Sequence, residues 1–185
     1  MKLPPQYVPH LDHRITALMA FTLRNDSRWF DSTPEERKNL GDVYRGSLEG
    51  AGIMLRMLME FLGIKSCKED PSKLCPSSRQ MGDIRLEEDS LKHISAVDPK
   101  LIDQPLHSFL ARMHDETSKR TAHAGFHKIS NGLDPKELRK ATEWVVSEIW
   151  KRCYDPDPIT VHGDLFLLMN GDRWEGIPFQ KPRHA

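Results

Sequence analysis

The residues best suited to chemistry lie between positions 107 and 127. Four of the nine histidines fall there (His107, His114, His123 and His127), together with Asp115, Glu116 and Arg120. Glu116, Arg120, His123 and His127 follow one another at steps of four, three and four, which places them along one face of a helix. Histidine exchanges protons near neutral pH, and a guanidinium offers phosphate a fixed fork of donors. Together these groups could move a proton beside a phosphodiester. A second chemistry is metal binding. His123 and His127 put two imidazoles on adjacent helical turns, where Glu116 or His114 could complete a ligand set. Ala124 stands where a His-Glu-x-x-His motif would have glutamate, and Gly125 weakens the helix between the two ligands. The plain alternative is a solvated helix end whose charged groups satisfy one another.

That stretch carries a resemblance. Ser118-Lys119-Arg120-Thr121-Ala122-His123-Ala124-Gly125-Phe126-His127, with the glycine-containing segment Tyr44-Arg45-Gly46-Ser47-Leu48-Glu49-Gly50-Ala51, resembles the HEPN superfamily of helical bundles. These are found in bacterial toxin–antitoxin, abortive-infection and CRISPR-associated systems. The family signature is an arginine and a histidine with four to six residues between them, and Arg120 and His127, with six between, match that spacing. The resemblance implies metal-independent RNA cleavage, with histidine acting on the 2′-hydroxyl or leaving group and arginine on the phosphate. It also implies a site shared across a homodimer, an RNA partner or a protein partner such as an antitoxin, and no cofactor. Two features depart from the family pattern. Thr121 follows the arginine, and the pair Ala122-His123 offers His123 as the motif histidine, with Ser118 rather than arginine five residues before it. A relative that binds RNA or protein without cleaving it is therefore a further expectation. The competing class is a non-enzymatic helical interaction domain, dimerising through Met- and Trp-bearing faces such as those of Met54, Met57, Trp144 and Trp150.

The elements that must position these groups are helical. Thr33-Pro34-Glu35-Glu36 combines a capping hydroxyl, a first-turn proline and an acidic first turn. From there Leu40, Val43, Leu48, Ala51, Leu55, Leu58 and Leu62 recur at helical spacing until Gly63. Asp134-Pro135 opens a second such stripe (Leu138, Ala141, Val145, Ile149, Cys153), which Asp155-Pro156-Asp157-Pro158 ends. Asp98-Pro99 or Pro105 opens a third, expected to run to about Ala124, and an earlier helix spans about Pro9 to Arg24. Gly46, Gly50 and Gly52 inside the second helix predict close packing of a neighbour.

The predicted fold is mainly α, an up-and-down bundle of four to five helices. Residues 1–155 form the bundle domain, with 65–97 a long crossover loop containing one short helix near Leu86–Ile94 and a disordered stretch over 66–83. Residues 156–185 form a β-hairpin or extended tail turning at Asn170-Gly171. Cys67, Cys75 and Cys153 read as free thiols, an odd count that suits a reducing, cytoplasmic setting.

Length and charge bound the rest. A chain of 185 residues can bury a substantial core without metal or disulfide. No apolar run reaches eighteen residues, so no membrane span is expected. Lys plus Arg and Asp plus Glu both number 27, which excludes a generally basic nucleic-acid coat. Residues 112–152 nevertheless hold nine basic groups against six acidic ones, a local surplus that fits a phosphate-bearing partner.

Overall fold

The computed structural model describes residues 3–31, 33–81, 84–85, 94–121, 134–161, 165–166 and 176–181. Side chains are described within 3–22, 46–47, 49–79, 94–118, 136–161, 165–166 and 176–181, and for Thr33 and Asp134. The chain is mainly helical: α1 (Val8–Asp31), α2 (Pro34–Phe61), α3 (Gln104–Thr121) and α4 (Pro135–Ile149). Helix α1 packs against α2 and α4, and α3 against α2 and α4. None of the described helices is long and apolar enough to cross a membrane.

The apolar stripes bury as their spacing demands. Leu11, Ile15 and Leu18 of α1, Ala51, Leu55 and Leu58 of α2, and Ala141, Val145 and Ile149 of α4 are all fully buried in one core. Two hydroxyls inside that core are satisfied by their own helices. Thr22 donates to the Leu18 carbonyl, Thr142 to that of Leu138, and the two oxygens meet across α1 and α4 at 3.2 Å.

The close approach expected at the α2 glycines is present at Gly50 and Gly52 but not at Gly46, where an added Cβ would meet no described atom within 4 Å. A Cβ on Gly50 would lie 2.9 Å from the Phe21 ring, and one on Gly52 would lie 3.0 Å from Met113 and Thr117 of α3. Gly63 ends α2 with a φ of +82°, a conformation that favours glycine. The Asp134 carboxylate accepts from the Lys136 amide at 2.8 Å and so caps α4 as its sequence predicts. After Ile149 the helix widens into a π-turn, Trp150–Tyr154. That turn carries both Cys153 and Tyr154 into the core. The helical spacing foresees only Cys153.

The segment expected as a crossover loop departs from its reading. Strands β1 (Ile64–Ser66) and β2 (Leu74–Pro76) pair antiparallel, with Lys65 opposite Cys75. A disulfide joins Cys67 to Cys75, their Cα atoms 5.0 Å apart, so two of the three cysteines are not the free thiols expected. Cys153 is buried and takes no part in a disulfide. The expected disorder over 66–83 is likewise corrected for residues 66–81, which hold β2 and β3 (Gln80–Met81), the latter paired antiparallel with β4 (Ile84–Arg85). Strands of two or three residues leave no alternation long enough to see in sequence. The short helix expected near Leu86–Ile94 falls, but for Ile94 itself, outside the described residues. Ile94 and Val97 are buried, and Arg152 of the π-turn donates to the Ser95 carbonyl and hydroxyl, closing this segment onto the end of α4.

The tail also differs. Strands β5 (Ile159–Thr160) and β6 (Phe179–Gln180) pair parallel, so they are not the two arms of a hairpin. Leu165 and Phe166, which a hairpin turning at Asn170-Gly171 would place in a strand, are helical. The Asn170-Gly171 turn lies outside the described residues. Ile159, Val161, Leu165 and Ile177 are buried in the same core as the helices, which is why their short apolar runs look strand-like.

Candidate functional site

Helix α3 carries the candidate residues and meets three partners: α2, α4 and the disulfide-bonded hairpin. Its inner face is Phe109, Leu110, Met113 and Thr117, all buried. Its backbone is helical through Thr121, so the Glu116-to-Arg120 step is one helical turn. The Arg120 side chain, and His123 and His127 altogether, lie outside the described residues, as does the expected run to Ala124.

Glu116 is half-buried. It lines a cleft of about 400 Å³ between α3, the hairpin turn at Pro71-Ser72, and Glu137 of α4. Arg112 lines the same cleft, bonds Glu137 at 3.2 Å and lies over the Phe109 ring at 5.5 Å. Both ends of that ion pair are exposed, so it adds little to stability. It does fix a guanidinium one turn before Glu116. At the hairpin turn, hydrogen bonding from the Ser72 hydroxyl, helped by Lys73 at 2.9 Å, holds the Asp70 carboxyl down at about 2.

His107 and His114 have a different duty. Seven residues apart, they share a face of α3, and both reach the hairpin. The Leu74 amide of β2 donates to His107 Nε2 at 3.3 Å. Ser66 Oγ of β1 meets His114 Nδ1 at 3.0 Å, and Ser118 Oγ approaches the same nitrogen at 3.5 Å. The other side of the His114 ring faces α2. Its Nε2 is 3.3 Å from Glu60 Oε1 but off the line of a hydrogen bond, and Glu60 Oε1 is 3.6 Å from Arg56 Nε.

Ser66, His114 and Glu60 thus stand in the order of a nucleophile, base and orienting carboxylate. The misaligned imidazole–carboxylate contact, and the second serine on the same ring nitrogen, fit a polar seam between α2, α3 and β1 better than a reacting group. Replacing His107 with Phe removes the acceptor for the Leu74 amide. The expected loss is about 1–2 kcal/mol of unfolding free energy, with faster hydrogen exchange at the Leu74 amide. Unchanged exchange at that amide would show that the ring does not hold the hairpin. The sequence signal for this role was the seven-residue spacing on the face that also carries Leu110 and Ala111.

Asp12 has the most displaced carboxyl among the described residues that keep to an ordinary titration range. Burial between α1 and the π-turn pushes it up to about 6, although the Tyr154 hydroxyl and the Thr160 amide draw it back down. Tyr154 donates to Asp12 Oδ1 at 2.6 Å, and burial in turn raises the tyrosine well above its usual range. Sequence reasoning passed over both residues, because Asp12 stands in an ordinary amphipathic helix and Tyr154 lies one residue past the expected stripe.

Among the described residues, no three His, Cys, Asp or Glu side chains gather as a metal-ligand set. The pair on which a metal reading depends, His123 and His127, lies outside them. Comparison with protein-family models, with curated proteins and with solved structures finds no match for this chain.

Proposed function

We propose that the chain is an HEPN-like protein, an up-and-down bundle of four main helices, that acts on RNA in a defence or regulatory setting. Arg120 and His127 are its reacting pair, and His123 and Glu116 are supporting groups. The observation that carries this reading is the commitment of the other histidines. His107 and His114 are engaged in holding the β1–β2 hairpin, and the proposal assigns proton transfer and phosphate contact to Arg120, His123 and His127. The mainly helical fold and the unbroken run of α3 through Arg120 agree with a motif that starts on a helix. Phosphate would meet the Arg120 guanidinium, His127 would take or return the proton, and no cofactor takes part. In the same proposal a second copy of the chain completes the site, and a protein partner covers it.

The test is RNA cleavage by the wild type, Arg120→Ala and His127→Ala, each with and without a chelator. Loss of the general acid–base or the phosphate contact is expected to lower the rate by about 100-fold or more, with the chelator without effect. Equal background activity in all three proteins would falsify the nuclease reading. Activity abolished by the chelator would transfer the histidines to a metal site. Cross-linking or sedimentation of the same samples reads the dimer directly.

A further inference from the structure

A second cleft of about 460 Å³ lies between α3 and α4 and shares Pro105, Phe109 and Glu137 with the first. Its size falls within the usual range of small-molecule sites. Leu106 and Phe109 of α3 and Trp144 of α4 supply its apolar and aromatic surface. Trp144 and Leu106 are only partly buried, so both present faces to the opening. Ser147 also lines the cleft. The residue is 5 % exposed, and its hydroxyl is not one of the buried polar atoms left without a partner. It borders the cleft one helical turn beyond Trp144, within reach of a group that enters.

The charges around the opening choose the sign of that group. Three of its carboxylates are already met by arginines: Glu137 by Arg112 at 3.2 Å, Glu143 by Arg139 at 2.9 Å and Glu148 by Arg152 at 2.9 Å. Lys151 shares Glu148 at 3.4 Å. Asp103 closes the cleft at the start of α3. Lys140 also lines the opening, is exposed, and has no ion-pair partner among the described residues. With the arginine pairs cancelled, the balance at the opening is positive.

We infer that this cleft binds a small aromatic carboxylate. The ring lies against Phe109 and Trp144, the carboxylate faces Lys140, and a polar atom of the ligand meets the Ser147 hydroxyl. Aromatic surfaces favour offset or edge-on ring contacts, and an exposed ammonium attracts an anion without first breaking another pair. The inference uses neither Arg120 nor His127, so it neither needs nor supports RNA cleavage.

Three probes of one shape separate the possibilities: naphthalene-acetate, naphthylmethylamine and naphthalene-methanol, each titrated calorimetrically into the full chain. Naphthalene-acetate is expected to bind saturably and at least fivefold more tightly than the other two. Lys140→Glu, a change at an exposed and unpaired position, is expected to remove that preference while leaving the circular dichroism spectrum unchanged. Ser147→Ala is expected to weaken the acetate two- to fivefold. The inference is overturned if the acetate shows no saturable binding or if the amine or the alcohol binds as well. It is also overturned if Lys140→Glu leaves the acetate affinity as it was.

Discussion

Reduction of the Cys67–Cys75 bridge lowers the unfolding free energy by about 2.5 kcal/mol, the loop-closure cost of a nine-residue ring. For a chain of this length that corresponds to a fall in melting temperature of roughly 5–10 °C. The hairpin depends on the bridge because its strands are so short. Three residue pairs join β1 to β2, and an isolated two-stranded hairpin is marginal in water. The body of the protein anchors it through buried Ile64 and Leu74 and through the two histidines of α3. The turn between the cysteines is held by the bond from the Cys67 amide to the Lys73 carbonyl at 2.8 Å and by the Asp70–Ser72 and Asp70–Lys73 contacts. Thermal melts with and without dithiothreitol measure the effect. A Cys67→Ala/Cys75→Ala variant should melt where the reduced wild type melts and show no response to reductant. If reductant leaves the wild type's melting temperature unchanged, the bridge contributes nothing to the fold.

The same pair of cysteines shows where the sequence stops being legible. A seven-residue gap between cysteines is neither a zinc spacing nor, alone, a disulfide signal. Pairing requires the chain to turn at Pro71-Ser72, and it is the register of Lys65 opposite Cys75 that brings Cys67 within reach. Nothing in a three-residue strand with one buried position announces that register. The cytoplasmic setting rested in part on an odd count of thiols, and with Cys67 and Cys75 bridged that support is gone.

Helices were readable because their signals repeat. Thr33-Pro34 and Asp134-Pro135 mark α2 and α4 within a residue, and Leu55, Leu58, Val145 and Ile149 are buried as their spacing requires. The end of α1 was placed seven residues too early, since the apolar stripe of that helix fades after Thr22. The parallel pairing of β5 with β6 was hidden for another reason. Asn170-Gly171 is a local cue for a hairpin, whereas a parallel ladder is decided by non-local packing of Ile159 and Ile177 on the helices. Within the candidate site, residue types alone could not single out the histidines that hold the hairpin. His107 and His114 were distinguished by their contacts with Leu74 and Ser66.

Replacing Tyr154 with alanine is expected to cost about 3–5 kcal/mol, the range for emptying a fully buried aromatic site. That is a large fraction of the 5–15 kcal/mol by which domains are ordinarily stable. Tyr154 is 1 % exposed and is among the largest side chains wholly inside the core. Its loss opens a cavity at the junction of α1, the π-turn and β5. It also strips a 2.6 Å donor from a carboxylate already disfavoured by burial. Tyr154→Phe separates the two effects, because the ring stays and only the hydroxyl goes. Its expected cost is about 1–2 kcal/mol at neutral pH, and Asp12 should then titrate above 6, since the bond from Tyr154 holds the carboxyl down.

The pH dependence follows from the direction of that shift. Asp12 binds its proton more tightly in the folded chain, near 6, than at its ordinary 3.8. The folded state therefore holds more proton between these values, and this group's contribution to stability is fully present below about pH 4 and lost as pH rises through 6. Solvent still reaches the carboxylate, so screening reduces the contribution to roughly 1–2 kcal/mol. Asp70, held low at the surface, runs in the opposite sense. Its stabilisation is present above its ordinary value and fades as pH falls towards 2. Asp12→Asn removes the first trend and leaves the second. Urea unfolding of wild type and Asp12→Asn from pH 4 to 7.5 should show the variant gaining on the wild type as pH rises, with the difference levelling above pH 7. Parallel curves across that range would mean that Asp12 titrates alike in the folded and unfolded chain, and that the Tyr154 contact matters for packing alone.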